Sequence, residues 1–332
     1  MSEPLVSVVT PTGRLTQRLQ DTLDSVAGQT LDDWEHLIVD DGSDDAAGEM
    51  ASSRVAEDPR FRRIGVQGRC AGDRRNIGIK AARAPFVVLL DAGAVLSRGC
   101  LERRAAVMSR NADLDFAVFE PGAPANARDD PAVGIHPQLI GDDLCRFLYS
   151  APPWTSVAPI WRRETLLRLG LFDESLPGWQ DIELYVRAIC AGCRYLRFPE
   201  VDHAILQPSK PADARLESAI AAIERLEAHV RAGPGMNWVR QRALCSLYFF
   251  VAKSWVERSD LRAGLAAWDC IRTRRLGPAH LHREGAALLR LRAAGAPCGG
   301  LIHAWKGWTR LRALPEAQAR GAPVGLPVGP TA

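Results

Sequence analysis

The stretch GDRRNIGIKAARAPFVVLLDAG, residues 72–93, decides the fold class because it joins a helical segment to an apolar run that ends in an aspartate. Its second half, FVVLLDAG, has the composition of a buried strand, since apolar residues follow one another without a charge as far as Asp91. A buried strand of this kind delivers one carboxylate to the edge of a sheet. The neighbouring sequence must indicate which other strands form the sheet and what the carboxylate of Asp91 does.

The same alternation of strand-like and helix-like patterns continues towards the N-terminus. LVSVVTP (5–11) and WEHLIVDDGS (34–43) are typical of strands, and RLQDTLDSVAGQ (18–29) places apolar residues at helical spacing. Strands that alternate with helices predict an α/β fold with a mostly parallel sheet flanked by helices. Ligands of such sheets bind beyond the carboxyl ends of the strands. The polar strand ends TPTGR, DDGSDD and DAGA are therefore expected to converge on one cleft.

The composition is that of an ordinary globular protein. Of 332 residues, 47% are hydrophobic and 24% are charged. No apolar run reaches the roughly 18 residues that cross a bilayer, and the N-terminus has no basic segment followed by an apolar block. The sequence therefore predicts a cytoplasmic protein, at most peripheral to the inner face of the membrane. Its eight cysteines are expected to be reduced thiols.

Charge divides the chain into two regions. The net charge of +3 combines −7 for residues 1–213 with +10 for residues 214–332. The second region also changes to helical patterns separated by short polar breaks. We therefore predict an α/β domain over residues 1–210, a basic α-helical region over 211–320 and a disordered tail over 321–332.

Four segments together resemble the family 2 glycosyltransferases, which have the GT-A fold. The segments are VSVVTPT (6–12), SVAGQTLDDWEHLIVDDGSDD (25–45), the stretch 72–93 quoted above, and LGLFDESLPGWQDIELYVRA (169–188). They follow the family's order and spacing. The resemblance implies a GT-A, Rossmann-like sheet and a transferase of the hexosyltransferase type. Such an enzyme moves a sugar from a nucleoside diphosphate, here UDP, to a hydroxyl of a glycan or lipid-linked acceptor in polysaccharide synthesis, with inversion.

The resemblance also implies a donor site. Pro11 and Thr12 would line the base pocket, and Asp41 would accept hydrogen bonds from the base or ribose. Arg75 would grip oxygen atoms of the donor with its forked guanidinium, and Asp91 would face the diphosphate.

Two of these assignments compete with simpler interpretations. Asp40 and Asp41 precede Gly42, where aspartate is common in turns without any binding role. Arg74 lies beside Arg75, and only one of two adjacent helical side chains is expected to point inward.

By the same resemblance, Asp181 is the predicted general base, which takes the proton of the acceptor hydroxyl as it attacks the anomeric carbon. An N-cap at the start of the following helix is the alternative role. Trp179 and Gln180 are predicted to contact the sugar or acceptor, although a buried core position suits Trp179 equally well. Relatives usually carry glutamate where this chain has Gln180, so one negative charge beside Asp181 is missing.

The sequence predicts a metal site that binds its ion weakly. Relatives read Asp-Ala-Asp where this chain has Asp91-Ala92-Gly93, so one of the two carboxylates that hold Mg²⁺ or Mn²⁺ on the diphosphate is absent. Asp91 and His203 are the predicted metal ligands. Two alternatives stay open: a metal-independent transferase with Arg14 or Arg75 as counter-charge, and a catalytically degenerate nucleotide-sugar-binding or scaffold protein. Relatives also have an aromatic residue and an asparagine where this chain has Gly13 and Arg14. This chain therefore lacks a side chain that could stack on the base.

The basic helices have two interpretations. They bury their aromatic residues in a helical subdomain, or they form a cationic surface that contacts anionic lipid and so suits a lipid-linked acceptor. A nucleic-acid partner is not expected, because no recognition motif accompanies the charge.

Overall fold

The computed structural model describes residues 3–12, 18–40, 42, 46–66, 70–122, 143–149, 151–206, 216–277 and 279–295. The chain divides into two compact units. The first contains residues 1–135 and 151–236, and the second contains residues 136–150 and 237–332. The predicted tail, 321–332, lies outside the described residues.

The first unit is built on a mixed sheet, for which the described residues supply eight strands in the order β3-β2-β1-β4-β7-β6-β8-β5. The strands are β1 (Val6–Pro11), β2 (Trp34–Asp40), β3 (Phe61–Gly65), β4 (Phe86–Leu89), β5 (Ala94–Leu96), β6 (Phe116–Pro121), β7 (Pro159–Arg162) and β8 (Tyr195–Ile205). Strands β3, β2, β1 and β4 are parallel neighbours, as the alternating patterns predict. Strand β7 runs antiparallel to both β4 and β6, and β5 runs antiparallel to β8.

Helices accompany these strands at the predicted positions. In the first unit they are α1 (Leu19–Ala27), α2 (Ala46–Glu57), α3 (Ala71–Ala81), α4 (Cys100–Arg110), α6 (Arg163–Arg168), α7 (Gln180–Cys190) and α8 (Ala219–Ala232). Helix α1 buries Leu19, Leu23 and Val26, which confirms its predicted apolar face. Helix α8 belongs to this unit although it follows the predicted boundary at residue 210. The predicted domain bounds themselves stay a prediction.

Helix α3 lies very close to the sheet. A Cβ atom at Gly78 would lie 2.3 Å from Cγ1 of Val9 on β1, which is less than any real carbon contact allows. Glycine at this position therefore sets how near the helix comes to β1. The short distance between α3 and β1 also determines how far the α3 side chains lie from the carboxyl ends of β1 and β4.

Strand β2, the second strand from one edge of the sheet, contains a buried histidine. His36 on β2 is fully buried, and its Nε2 lies 2.7 Å from Oγ1 of Thr10 on β1. Burial, together with a smaller contribution from the nearby charge of Arg54, lowers the pKa of His36 to about 3. The folded protein therefore keeps this imidazole neutral at pH values where an unfolded chain would protonate it.

We expect the free energy of unfolding to fall as the pH is lowered from 7 to 4. The pKa of His36 is lower in the folded state than its ordinary value of 6.5, so the unfolded chain binds one more proton between those values. The expected contribution is up to about 1.4 kcal/mol per pH unit below pH about 6. Urea unfolding of the wild type and of His36→Gln at four pH values measures it. Equal slopes for the two proteins between pH 6 and 4 would contradict this expectation.

The second unit is helical. Its described helices are α5 (Asp143–Leu148), α9 (Trp238–Glu257), α10 (Leu261–Thr273) and α11 (Ala279–Ala293), and α5 packs against α9. Trp268 of α10 is fully buried, and its Nε1 donates to the carbonyl of His282 at 2.8 Å. Tyr248 and Phe249 of α9 are also fully buried. These residues follow the first of the two interpretations of the basic helices, a subdomain that buries its aromatic residues.

None of the helices in the described part of the chain is both long enough and apolar enough to span a bilayer. Contact of the basic helices with a lipid surface stays a prediction.

Candidate active site

The turn after β4 presents Asp91 at the carboxyl end of a central strand, as the sequence predicts. The turn is closed by the amide of Ala94, which donates to the carbonyl of Asp91 at 2.9 Å. Its third residue, Gly93, has a φ of 98°, a conformation that glycine adopts readily and that other residues adopt only with strain. The amide of Gly93 donates to Oγ1 of Thr22 at 2.9 Å, and its carbonyl accepts from the amide of Leu206 at 2.8 Å. The backbone at residue 93 is therefore held in a shape suited to glycine.

Both carboxylate oxygens of Asp91 accept short hydrogen bonds. Nη2 of Arg75 donates to Oδ1 at 2.6 Å, and Oγ of Ser156 donates to Oδ2 at 2.6 Å. Burial works to raise the pKa of Asp91, but the charge of Arg75 and these two hydrogen bonds outweigh it and hold the pKa below its ordinary value. Asp91 is therefore ionised at neutral pH.

Ser156 is a site residue that the sequence does not reveal. It lies before β7, in a segment without any pattern that marks a functional hydroxyl. Ser156 comes close to Asp91 because the strand that follows it, β7, pairs antiparallel with β4. Knowledge of that strand order would have been needed to identify it.

Arg75 on α3 is buried, with 8% of its surface exposed. Its guanidinium lies 5.4 Å from the ring centre of Phe172, and its Nε has no hydrogen-bond partner among the described residues. Burial works to lower the pKa of Arg75, but Asp91 and then Asp181 outweigh it, and the pKa is raised. Arg75, Asp91 and Asp181 thus interact electrostatically as one group.

Arg74 also contributes to the site, contrary to the expectation that only one of the two arginines would point inward. Its Nη1 donates to the carbonyl of Thr12 at 2.8 Å, and its Nε is buried without a partner in the described part of the chain. Thr12 follows β1, and Asp91 follows the neighbouring strand β4. The two adjacent arginines therefore reach the ends of two adjacent strands.

The predicted base pocket is described only in part. Thr12 is buried, and its amide donates to the carbonyl of Val39 at 2.8 Å, which holds the end of β1 against β2 beside the partly exposed Pro11. Asp41, Gly13 and Arg14 lie outside the described residues. Asp40 is buried, accepts from the amide of Gly42 at 2.9 Å and pairs with Arg63. These contacts agree with the turn interpretation of Asp40.

Asp181 is the second residue of α7. The N-cap position belongs to Trp179, so the alternative of Asp181 as an N-cap is wrong. Trp179 has a φ of 67°, in the left-handed region, and this turn leads the chain into the helix. Asp181 is partly exposed, and its carboxylate accepts no hydrogen bond from any described residue. It therefore keeps the free lone pairs that a base requires.

Gln180 and Trp179 lie in the interior. They are 5% and 6% exposed. The side-chain amide of Gln180 donates to Sγ of Cys70 at 3.1 Å and to the carbonyl of Leu176. A Cβ atom at Gly72 would lie 2.6 Å from this amide, so α7 begins against the first turn of α3. The predicted contact of these two residues with a sugar or acceptor stays a prediction.

His203 lies in a buried cluster. Its Nδ1 is 3.0 Å from Oδ1 of Asp202, which also accepts from Nη2 of Arg104 at 2.7 Å. The side chains of all three residues have no exposed surface. Burial lowers the pKa of His203, with an opposing contribution from Asp202. Among the described residues, no hydrogen bond joins His203 to Asp91.

The residues present do not fit the predicted Mg²⁺ or Mn²⁺ site. The described residues contain no group of three His, Cys, Asp or Glu side chains that could hold a metal ion. The oxygens of Asp91 are already bonded to Arg75 and Ser156. His203 has no surface from which an ion on a bound diphosphate could reach it.

Part of the first unit is similar to a known protein family. Residues 7–134 match the model of glycosyl transferase family 2. The chain is 32% identical over 186 residues to the uncharacterized glycosyltransferase EpsJ of Bacillus subtilis, a match that covers 54% of each protein. This chain thus spans about half the length of that relative.

Solved structures share the fold. TarS from S. aureus in complex with UDP-GlcNAc superposes with a TM-score of 0.62 at 15% identity, covering 88% of this chain and 92% of that one. The mannosyltransferase PcManGT from Pyrobaculum calidifontis, in complex with GDP-Man and Mn²⁺, gives a TM-score of 0.53 at 19% identity, covering 96% and 86%. These similarities confirm the predicted fold class, a GT-A-like sheet with flanking helices followed by a helical C-terminal region.

Proposed function

Because residues 7–134 match the model of glycosyl transferase family 2, we propose that this protein is an inverting glycosyltransferase. It moves a sugar from a nucleoside diphosphate donor, a UDP-sugar, to a hydroxyl of a glycan or lipid-linked acceptor in polysaccharide synthesis. One observation carries the proposal: the ionised pair Asp91–Arg75 lies at the carboxyl end of β4, and the unbonded carboxylate of Asp181 is close enough to raise the pKa of Arg75.

The chemistry requires a base on one side of the anomeric carbon and a positive charge on the other. Asp181 accepts the proton of the acceptor hydroxyl as its oxygen attacks the anomeric carbon. The bond from that carbon to the diphosphate breaks, and negative charge develops on the leaving diphosphate. The N–H groups of Arg75 donate to its oxygens and stabilise that charge. Attack from the side opposite the leaving group inverts the configuration.

The nucleoside occupies the ends of β1 and β2. Pro11 and Thr12 line the base pocket, and Asp41 accepts hydrogen bonds from the base or ribose. This assignment is supported by the position of Thr12, whose amide donates to the carbonyl of Val39 on β2 and whose carbonyl accepts from the guanidinium of Arg74.

A donor screen tests the proposed function. The full chain is titrated with UDP and with GDP, and is then incubated with UDP-sugars and glycan acceptors. We expect UDP to bind with a dissociation constant below about 1 mM, and the product to have the anomeric configuration opposite to that of the donor sugar, as read by NMR. Absence of binding to either nucleotide would reject the transferase and favour a scaffold role. A product that retains the donor configuration would reject inversion.

A further inference from the structure

The turn at residues 91–94 contains one carboxylate, that of Asp91. Its backbone conformation disfavours an aspartate at position 93. Gly93 is buried, its φ is 98°, and both its backbone polar groups are bonded, to Thr22 and Leu206. An aspartate at this position would have to adopt a strained backbone conformation. The single carboxylate is therefore part of the local fold rather than an isolated substitution.

The place beside Asp91 is occupied by a protein cation. Arg75 donates one N–H to Asp91, at 2.6 Å, and makes no other hydrogen bond within the described residues. A guanidinium carries five N–H donors, and buried donors without a partner are rare because they cost free energy. The buried Nε of Arg75 has no partner among the described residues, so together with the unused Nη donors it is available to an acceptor that is not part of the protein.

Arg74 supplies a second charge at the same place. It also has a buried Nε without a partner among the described residues, and its Nη1 is anchored to Thr12. Arg74 and Arg75 together exceed the charge of Asp91 by one unit. Two guanidinium groups at the ends of adjacent strands match an anion with several oxygens, such as a diphosphate.

We propose that Arg75, assisted by Arg74, supplies the positive charge on the donor diphosphate, so that donor binding and sugar transfer require no divalent cation. Asp91 then orients Arg75 instead of holding a metal ion, and Ser156 fixes the orientation of Asp91. This inference rests on the proposed function, since it concerns the donor of the same reaction.

Calorimetric titration with UDP and with uridine, in EDTA and in Mn²⁺, tests the inference. We expect the UDP dissociation constant of the wild type to change by less than about twofold between EDTA and Mn²⁺. Arg75→Gln should weaken UDP binding by about tenfold or more, the loss expected for one charged hydrogen-bonding group. Uridine lacks the diphosphate, so its binding should change by less than about twofold in the same variant.

Three further variants separate the charge of Arg75 from its structural role. Arg75→Lys keeps the charge and should recover part of the UDP affinity. Arg75→Gln combined with Asp91→Asn leaves no unpaired carboxylate, and thermal unfolding of this double variant reports whether the fold survives. Arg168→Gln is the matched control, because Arg168 is exposed and pairs with Asp115 at the surface; its UDP binding should equal that of the wild type.

Two outcomes would overturn the inference, and they can be told apart. If Mn²⁺ tightens UDP binding by more than about tenfold and Asp91→Asn removes that gain, a metal ion carries the charge and only this inference fails. If neither UDP nor uridine binds in either condition, the donor site itself is wrong and the proposed function fails with it.

Discussion

Asp181→Asn is expected to lower kcat by about 10²- to 10⁴-fold, the usual contribution of a general base. Asparagine has nearly the same shape but cannot accept the proton of the acceptor hydroxyl. Because the Asp181 carboxylate accepts no hydrogen bond from the described residues, its loss should leave the fold and the UDP dissociation constant almost unchanged. Steady-state kinetics with a UDP-sugar and an identified acceptor, together with UDP titration, measure both quantities.

The control for this variant is Asp113→Asn. Asp113 is a half-exposed aspartate of the same unit and pairs with Arg194 at the surface. Its replacement should leave kcat within about twofold of the wild type, as surface substitutions away from a site usually do. Equal activity of Asp181→Asn and the wild type would show that another group takes the proton.

Asp202→Ala is expected to destabilise the first unit by about 3 to 5 kcal/mol, because it leaves the buried charge of Arg104 without its partner. Nε and Nη2 of Arg104 donate to the two oxygens of Asp202 at 2.8 and 2.7 Å. Burial works to raise the pKa of Asp202, but Arg104 outweighs it and holds the pKa far below its ordinary range. Urea unfolding at pH 7 measures the loss.

The double variant Arg104→Met with Asp202→Ala is the informative comparison. It removes both charges, so it should be less destabilised than the single variant, since replacing a whole buried pair with apolar groups costs far less than breaking it. A double variant that is as unstable as Asp202→Ala, or less stable, would show that packing, and not the unpaired charge, dominates.

The sequence predicts the parallel half of the sheet well, because β1 to β4 are separated by helices and β1, β2 and β4 each have their own apolar run. It does not predict the antiparallel pairing of β7 with β4 and β6, or of β5 with β8. Strand β7 is a run of four residues whose direction depends on which strand it pairs with, and no local pattern encodes that choice.

The site residues, like the strands, differ in how far the sequence predicts them. Asp91, Arg75 and Asp181 were predicted from the sequence because each lies in a segment that resembles a known family, and their roles stay predictions. Ser156 was not, since its contact with Asp91 depends on the placement of β7. The role of His203 could not be read from its position in a strand, because its environment is set by Arg104, which lies 99 residues away in sequence.

The arrangement of the two units has a consequence for synthesis on the ribosome. Helix α5 belongs to the helical unit, yet α9, against which it packs, begins about 90 residues later in the chain. At roughly 5 to 20 residues per second, about 5 to 18 s separate the synthesis of α5, which contains the buried residues Phe147 and Leu148, from the synthesis of the first residue of α9. During that interval the nascent chain presents a surface suited to a chaperone, and a transcript that stops before α9 would yield a protein with that surface permanently uncovered.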